Sequence, residues 1–460
     1  MNKKGSASEK LVLSVEKQYA DLKPKLSYIV KSFNSIYSLN KKMTLNYGIE
    51  HQTKIRVVPG EIGTFFTRKK EIPDYSFFKW DGIKLPILFQ NKDVDPIIIC
   101  NPGDETSIEG DILISAFYFL SCWQEYICKK YDSMGRFPIS ESLLFKLELT
   151  QIPVVNYYFD ILAKAIESIS GMKVTINPKH SDGLKVGVTH DIDHCKTGSI
   201  QDGYRQIKAG QWWNGINKIF RRFYQEDIWF NFDQLLKIED KLNITASYYF
   251  ITTNISKNGY PNADYDLTAP QMQQILTNIY NSGHDIGIHG SIGTGYDTEK
   301  LKSEMKQFSN SIIGGRFHYL MMRIPESFAV IENSGLCYDS SLGFAEQIGF
   351  RNGLCFPYHP YDFENEKPFS FFEFPFQMMD KTLIQPYYMG LNPEDAIESV
   401  KSLINEINKF SGYFIFIWHN NTITGFKYSE WKDVFIEILS YCKHLNSEIK
   451  PISKFINCQG

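Results

Sequence analysis

The chain has 460 residues, 43% hydrophobic and 22% charged, with a formal net charge of -3. That length can bury a large core and exceeds one ordinary domain, so two units are expected. The even mixture of acids and bases gives no electrostatic argument for a nucleic-acid partner and favours a small molecule or glycan, for which the 15% aromatic content offers stacking rings as well as core packing.

In chain order, Leu11 to Tyr37 is amphipathic, and no long apolar segment precedes it. Neither a secretory signal nor a membrane anchor is expected, and the most apolar internal run, Ile112 to Trp123, is too short to span a bilayer. The expected location is the cytoplasm, a peripheral place at a membrane staying open. The eight cysteines lack a CxxC pair and read as reduced, mostly buried thiols. Short strands are expected between Thr53 and Phe89, then an apolar run over Val94–Cys100 broken by Asn101-Pro-Gly-Asp-Glu. Helices follow over Asp111 to Lys129 and Val154 to Ser170, with Asp132 and Arg136 read as a structural ion pair. The polar stretch Asn177 to Gly183 separates the units, giving an N-terminal mixed α/β domain over 1–180, of unassigned role, and a second domain over 181–460.

The second unit opens on Leu184-Lys-Val-Gly-Val-Thr-His-Asp191-Ile-Asp193, an apolar strand ending in ionisable groups. Tyr204 to Tyr224 is basic and aromatic and reads as an amphipathic helix over the active face, in preference to a binder of anionic substrate or lipid headgroups. A helix is expected from Phe232, a strand over Ile244 to Ile251, and a helix capped by Thr268 with Pro270 in its first turn. Three further apolar runs end in histidine: Asp285 to His289, Gly315 to His318 and on to Leu320, and Tyr413 to His419. Helices between them argue for parallel α/β packing as a closed or incomplete barrel.

Asp191, Asp193, His289 and His318 offer oxygen and imidazole donors suited to a divalent transition metal, provided their strands are neighbours. His190 and His194 flank the carboxylates and read as outer or surface residues. His419 suits proton delivery to a leaving group; Asp339 would orient it, with turn capping as the alternative, and Arg323 would tune a catalytic Asp or form a surface ion pair.

On these residues the second unit resembles the NodB-homology polysaccharide deacetylase family, as a divergent branch with an added N-terminal domain. Thr189-His-Asp191-Ile-Asp193 resembles its first motif, Ile288-His289-Gly-Ser-Ile-Gly293 its second with the second histidine absent, Arg323-Ile-Pro325 its third, Asp339 a later one, and Ile417-Trp-His419 its last. The resemblance implies a distorted or incomplete β/α barrel and metal-dependent removal of N-acetyl groups from a glycan or a lipid-linked or activated sugar precursor. It further implies Asp191 as base and Asp193 as ligand, or the reverse, His419 as acid, and Arg323 and Asp339 as their supports. The metal would be zinc by default, with nickel, cobalt or manganese open. His318 is expected to replace the absent histidine by its placement alone. The alternatives are a glycan-binding module without turnover and a hydrolase of another amide or ester. The oligomeric state is left open.

Overall fold

A computed structural model describes residues 10–50, 53–92, 97–101, 105–180 and 183–456. The start of the chain, the first three residues of the Val94–Cys100 run and most of its break, the end of the expected linker, and Cys458 lie outside the described residues. The chain divides into two units, one of residues 1–130, 140–182 and 352–369, the other of 131–139, 183–351 and 370–460.

The first unit contains β1 (Leu11–Val15), β2 (Met43–Tyr47), β3 (Ile55–Val57), the antiparallel pair β4 (Tyr75–Trp80) and β5 (Ile83–Leu88), β6 (Ile98–Asn101) and β7 (Glu105–Ile108). One sheet runs β1-β2-β3-β7-β6, parallel apart from its last pair. Its helices include α1 (Lys23–Ile36), α2 (Ile112–Leu120) and α3 (Val154–Ser170). The helix expected to run on to Lys129 stops early because Cys122 takes a left-handed φ of 57° before a short second helix. Buried Asp111 sets its start, accepting from Ile114 N at 3.0 Å as an N-cap.

The second unit is built on β8 (Lys185–Ile192), β9 (Ser247–Phe250), β10 (Asp285–Gly290), β11 (Gly314–Phe317), β12 (Tyr338–Asp339), β13 (Phe372–Glu373), β14 (Met378–Met379), β15 (Tyr413–Ile417) and β16 (Glu448–Ile449). The order is β13-β12-β11-β10-β9-β8-β15-β14, with β16 also on β8, and all pairs are parallel. The two ends of this ladder are neighbours in sequence. From Glu373 to Met378 the chain can reach at most about 18 Å, whereas eight strands laid flat span about 34 Å. The sheet must therefore curl. The joining residues bond to both sides as they cross: Phe374 N donates to Asp339 O at 2.8 Å and Gln377 N to Ile415 O at 2.9 Å. The fold is mixed α/β with a curled parallel sheet, consistent with a distorted barrel.

Around the sheet lie α4 (Gly198–Lys208), α5 (Trp212–Arg221), α6 (Phe232–Lys241), α7 (Pro270–Asn281), α8 (Thr298–Met305), α9 (Glu326–Ser334), α10 (Pro393–Lys409) and α11 (Trp431–His444). Their apolar faces meet strands that are buried along their length, such as Phe414, Phe416 and Ile417 of β15. Three expectations need correction. Thr268 does not cap α7; its hydroxyl donates to Asp266 at 2.7 Å, and Ala269 is the N-cap. The aromatic residues of α5 are exposed, so that helix does not pack in the ordinary amphipathic way. Finally, Cys337 is disulfide-bonded, while Cys100, Cys122, Cys128, Cys195, Cys355 and Cys442 are thiols. No helix among the described residues is long and apolar enough to cross a membrane.

Candidate active site

Parallel pairing puts every strand's C-terminal end on one rim, and there the polar side chains converge around a cavity of about 310 Å³. β8 delivers Asp191 and, just beyond its end, Asp193. Alternation along the strand sends His190 to the other face. There it is fully buried, its Nδ1 donating to Trp418 O at 2.6 Å and its Nε2 lying 2.9 Å from Glu239 Oε1. His194 is half-buried on the cavity wall, 3.7 Å from Asp264.

β10 and β11 supply two imidazoles. His289 Nδ1 donates to Arg316 O at 3.0 Å, and His318 Nε2 donates to Pro261 O at 3.2 Å. Carbonyls only accept, so both rings carry their hydrogens on these outer nitrogens. The inner nitrogens then present lone pairs to each other at 3.1 Å, and Asp193 Oδ1 stands 3.3 Å from His289 Nε2 and 3.4 Å from His318 Nδ1. That buried carboxylate oxygen takes no hydrogen bond. Burial pushes the His318 imidazole down to about 3, which keeps its lone pair available.

Three acceptors facing one point need a cation between them. Two imidazoles and one carboxylate suit a first-row transition ion better than magnesium or calcium. Edges of 3.1–3.4 Å also match the roughly 3.0–3.4 Å ligand separations of a shell with bonds of about 2.1 Å. Asp193, His289 and His318 are thus a donor set that fits such an ion.

The strand bearing His318 does not continue to Leu320 as expected. It breaks after Phe317, where Tyr319 and Leu320 both adopt φ of 56°. Two successive non-glycine residues in the left-handed region are costly, and such strain is usually held at functional sites. At Gly293, where the motif's second histidine is absent, the backbone has φ of 95°, which disfavours any side chain.

The partner of Asp191 is Arg316, which the sequence reading missed. Its Nη1 donates to Asp191 Oδ1 at 2.7 Å and to Thr189 Oγ1 at 3.0 Å. Nε and Nη2 bond to the carbonyl and hydroxyl of Ser340 at 2.6 and 2.9 Å. A buried arginine with each nitrogen satisfied is held rigidly. Burial would raise the Asp191 carboxyl, but the Arg316 charge outweighs it and holds it below the usual range. Arg323 does not fill this role: it stacks on Tyr131 at 4.1 Å and donates to Gly135 O at 3.0 Å. Its short reach from the turn after β11 ends on that loop. Asp132 and Arg136 do pair, at 2.8 Å, and Arg136 also lines the cavity.

His419 follows β15 and is oriented by Asp380, the second residue missed. Nδ1 donates to Asp380 Oδ1 at 2.6 Å, and the His419 amide donates to Oδ2 at 2.9 Å. Asp339 is too occupied for the role expected of it, since it accepts from Ser341 N and Oγ at 2.8 and 3.0 Å and shares a hydrogen bond with Glu373. The third missed residue is Lys381, whose Nζ lies 2.9 Å from Asp193 Oδ2. Burial would raise Asp193, yet the Lys381 ammonium beside it holds it well below the normal carboxylate range. His419 Nε2 remains directed at the cavity, 3.5 Å from the same oxygen. All three missed residues follow the pattern that exposed the others, polar groups at or just past strand ends, but Asp380 and Lys381 follow a two-residue strand with little apolar run.

A family of unknown function (DUF7033) matches residues 15–170. No curated protein matches the chain. Among solved structures, the chain is similar to a putative polysaccharide deacetylase from Mycobacterium smegmatis at 16% identity and a TM-score of 0.40, over 59% of this chain and 88% of that one. It is similar to PuuE allantoinase at 12% identity and a TM-score of 0.39, over 61% and 92%. For the chitin deacetylase of Colletotrichum lindemuthianum the values are 10% and 0.32, over 60% and 88%.

Proposed function

We propose that the second unit is a metal-dependent hydrolase that removes N-acetyl groups from a glycan or a surface-polysaccharide precursor. One observation carries this reading: a charge-paired carboxylate and a carboxylate-paired imidazole flank a three-donor metal set at the foot of one cavity. Asp191 lies 3.8 Å from His289, and His419 lies 3.5 Å from Asp193, so the two proton-transfer groups adjoin different members of the set. When bound by Asp193, His289 and His318, a divalent ion, zinc by default with nickel, cobalt and manganese open, supplies carbonyl polarisation and a more acidic water.

The chain's own groups divide the remaining work. Asp191, kept anionic by Arg316, accepts a proton from the attacking water as its oxygen bonds to the acetyl carbon. The C–N bond then breaks, and the nitrogen takes the proton from His419 Nε2, giving acetate and a free amine. Asp380 balances the imidazolium and fixes its tautomer, while Lys381 neutralises the outer oxygen of Asp193. Tyr319, Tyr387, Tyr388, Tyr428 and Trp229 line the cavity and provide ring faces for a sugar.

The test is acetate release from a panel of N-acetylated sugars and nucleotide-linked or lipid-linked glycans, comparing metal-loaded wild type with Asp191→Asn and His419→Ala. Loss in both variants is expected. Equal release by the folded variants rejects the roles, and specific glycan binding without release from any substrate moves the protein to the binding-module reading.

A further inference from the structure

The excursion between β8 and α6 has a feature that catalysis does not use. α4 and α5 pack backbone to backbone through Gly203 and Gly215, where a Cβ on either glycine would lie 2.6 or 2.4 Å from the other's carbonyl oxygen. Ile219 packs on the same side, against Gly203. With 3.6 residues per turn, Trp212, Trp213, Ile216 and Phe220 then share an arc of about 100° on α5 that begins beside this contact and turns away from it. These side chains, with Phe223 and Tyr224 just beyond, meet no core: Trp213 is 85% exposed, Phe223 79% and Tyr224 69%. Leaving six large apolar groups together in water is unfavourable, and such a patch marks a docking surface.

The charge around the patch specifies the occupant. Residues 204–224 contain Arg205, Lys208, Lys218, Arg221 and Arg222 and no acid, in a chain whose net charge is -3. An isologous second copy would oppose two like-charged basic faces. Exposed tryptophans and phenylalanines beside lysine and arginine instead match the headgroup and acyl boundary of an anionic bilayer. We infer that the α4–α5 hairpin docks the protein on an anionic lipid surface, inserting Trp212, Trp213, Phe220 and Phe223 while Lys208, Arg221 and Arg222 meet the headgroups.

The hairpin is tied to the cavity rim. Asp202 of α4 accepts from Phe426 N at 2.6 Å and pairs with Lys218 of α5. Gln201 and Arg205 of α4 line the cavity itself, and Arg205 lies 5.4 Å from the ring centre of Tyr428. Docking therefore presents the cavity beside the lipid surface. On the hydrolase reading, the substrate class is a glycan carried on a membrane lipid.

The experiment is co-sedimentation of the full chain with vesicles of phosphatidylcholine and with vesicles of phosphatidylcholine and phosphatidylglycerol in two-to-one ratio, followed by tryptophan emission. Wild type is expected to bind the anionic vesicles with a blue shift, more weakly at high salt. The double variant Trp213→Ala/Phe223→Ala should bind at least about tenfold more weakly, and Arg221→Glu/Arg222→Glu should remove the preference for phosphatidylglycerol. Because these side chains are exposed, unchanged thermal melting confirms that the variants fold. Wild type left in the supernatant, equal binding by the aromatic variant, or equal binding to both vesicles overturns the inference. So does sedimentation velocity showing a wild-type dimer that the aromatic variant converts to monomer. Binding is read without turnover, so vesicle association without acetate release sinks only the hydrolase reading.

Discussion

Two histidine–carboxylate pairs lie on opposite faces of the same sheet. His419 meets Asp380 at 2.6 Å and His190 meets Glu239 at 2.9 Å, both buried. They differ in what remains of the ring. Both nitrogens of His190 are engaged, and Glu239 also accepts from Tyr248 OH at 2.5 Å, so no proton there can reach a substrate. His419 commits only Nδ1 and leaves Nε2 on the cavity. Pairing with a carboxylate is thus no sign of catalysis in itself; the free nitrogen facing a cavity separates the chemical pair from the structural one.

The sharpest break of this comparison is functional. His419→Ala should lower the rate of acetate release per folded molecule by roughly 10² to 10⁴. Glu239→Ala should do the reverse, costing about 3–5 kcal/mol of stability by stranding a buried partner while leaving turnover of the folded fraction intact. Rates and denaturant unfolding measured on both variants decide the matter. Similar profiles for the two would erase the distinction.

The next effect concerns the metal set. His318→Ala removes one of three donors, and zinc affinity measured by competition with a chelating dye should fall by at least ~10²-fold. His194→Ala, on the cavity wall but outside the set, should leave affinity within about threefold of wild type. Adding Gly293→His to His318→Ala should not restore binding, because φ of 95° opposes a side chain there. Unchanged affinity in His318→Ala would remove it from the set.

Much of this was legible because strand ends announce themselves. The apolar runs before Asp191, His289 and His419 identify β8, β10 and β15, and parallel α/β alternation implies a shared rim. The closing strand was not legible: β13 and β14 have two residues each and are interrupted by Pro375, so they have neither length nor period. Partner identities were hidden for a different reason. Whether Arg316 or Arg323 meets Asp191 depends on register from β8 through β11, which no local pattern encodes. Arg316 was nevertheless within reach of the reasoning, since it stands two residues before His318 and alternation sends both toward the same side. Asp339 failed as the orienter of His419 because its register neighbour is Glu373, across β12 and β13.

That last pair gives the smallest expected effect and a test of the inner barrel as distinct from the rim. Glu373 is fully buried, and burial, followed by the adjacent Asp339 charge, pushes its carboxyl well above the ordinary range; Asp339 is also raised by burial. The pair therefore holds a proton in the folded state that the unfolded chain gives up at lower pH. A raised folded value means that the contribution to stability is complete below the unfolded glutamate range and is lost as pH rises through the folded value. Glu373→Gln keeps a donor toward Asp339 and cannot ionise, so its stability should fall less than that of wild type between pH 5 and pH 8. Melting temperatures of the two proteins across that interval provide the measurement. Because every other titrating group is common to both chains, the difference in slope isolates Glu373, and parallel slopes would show that no proton is held there.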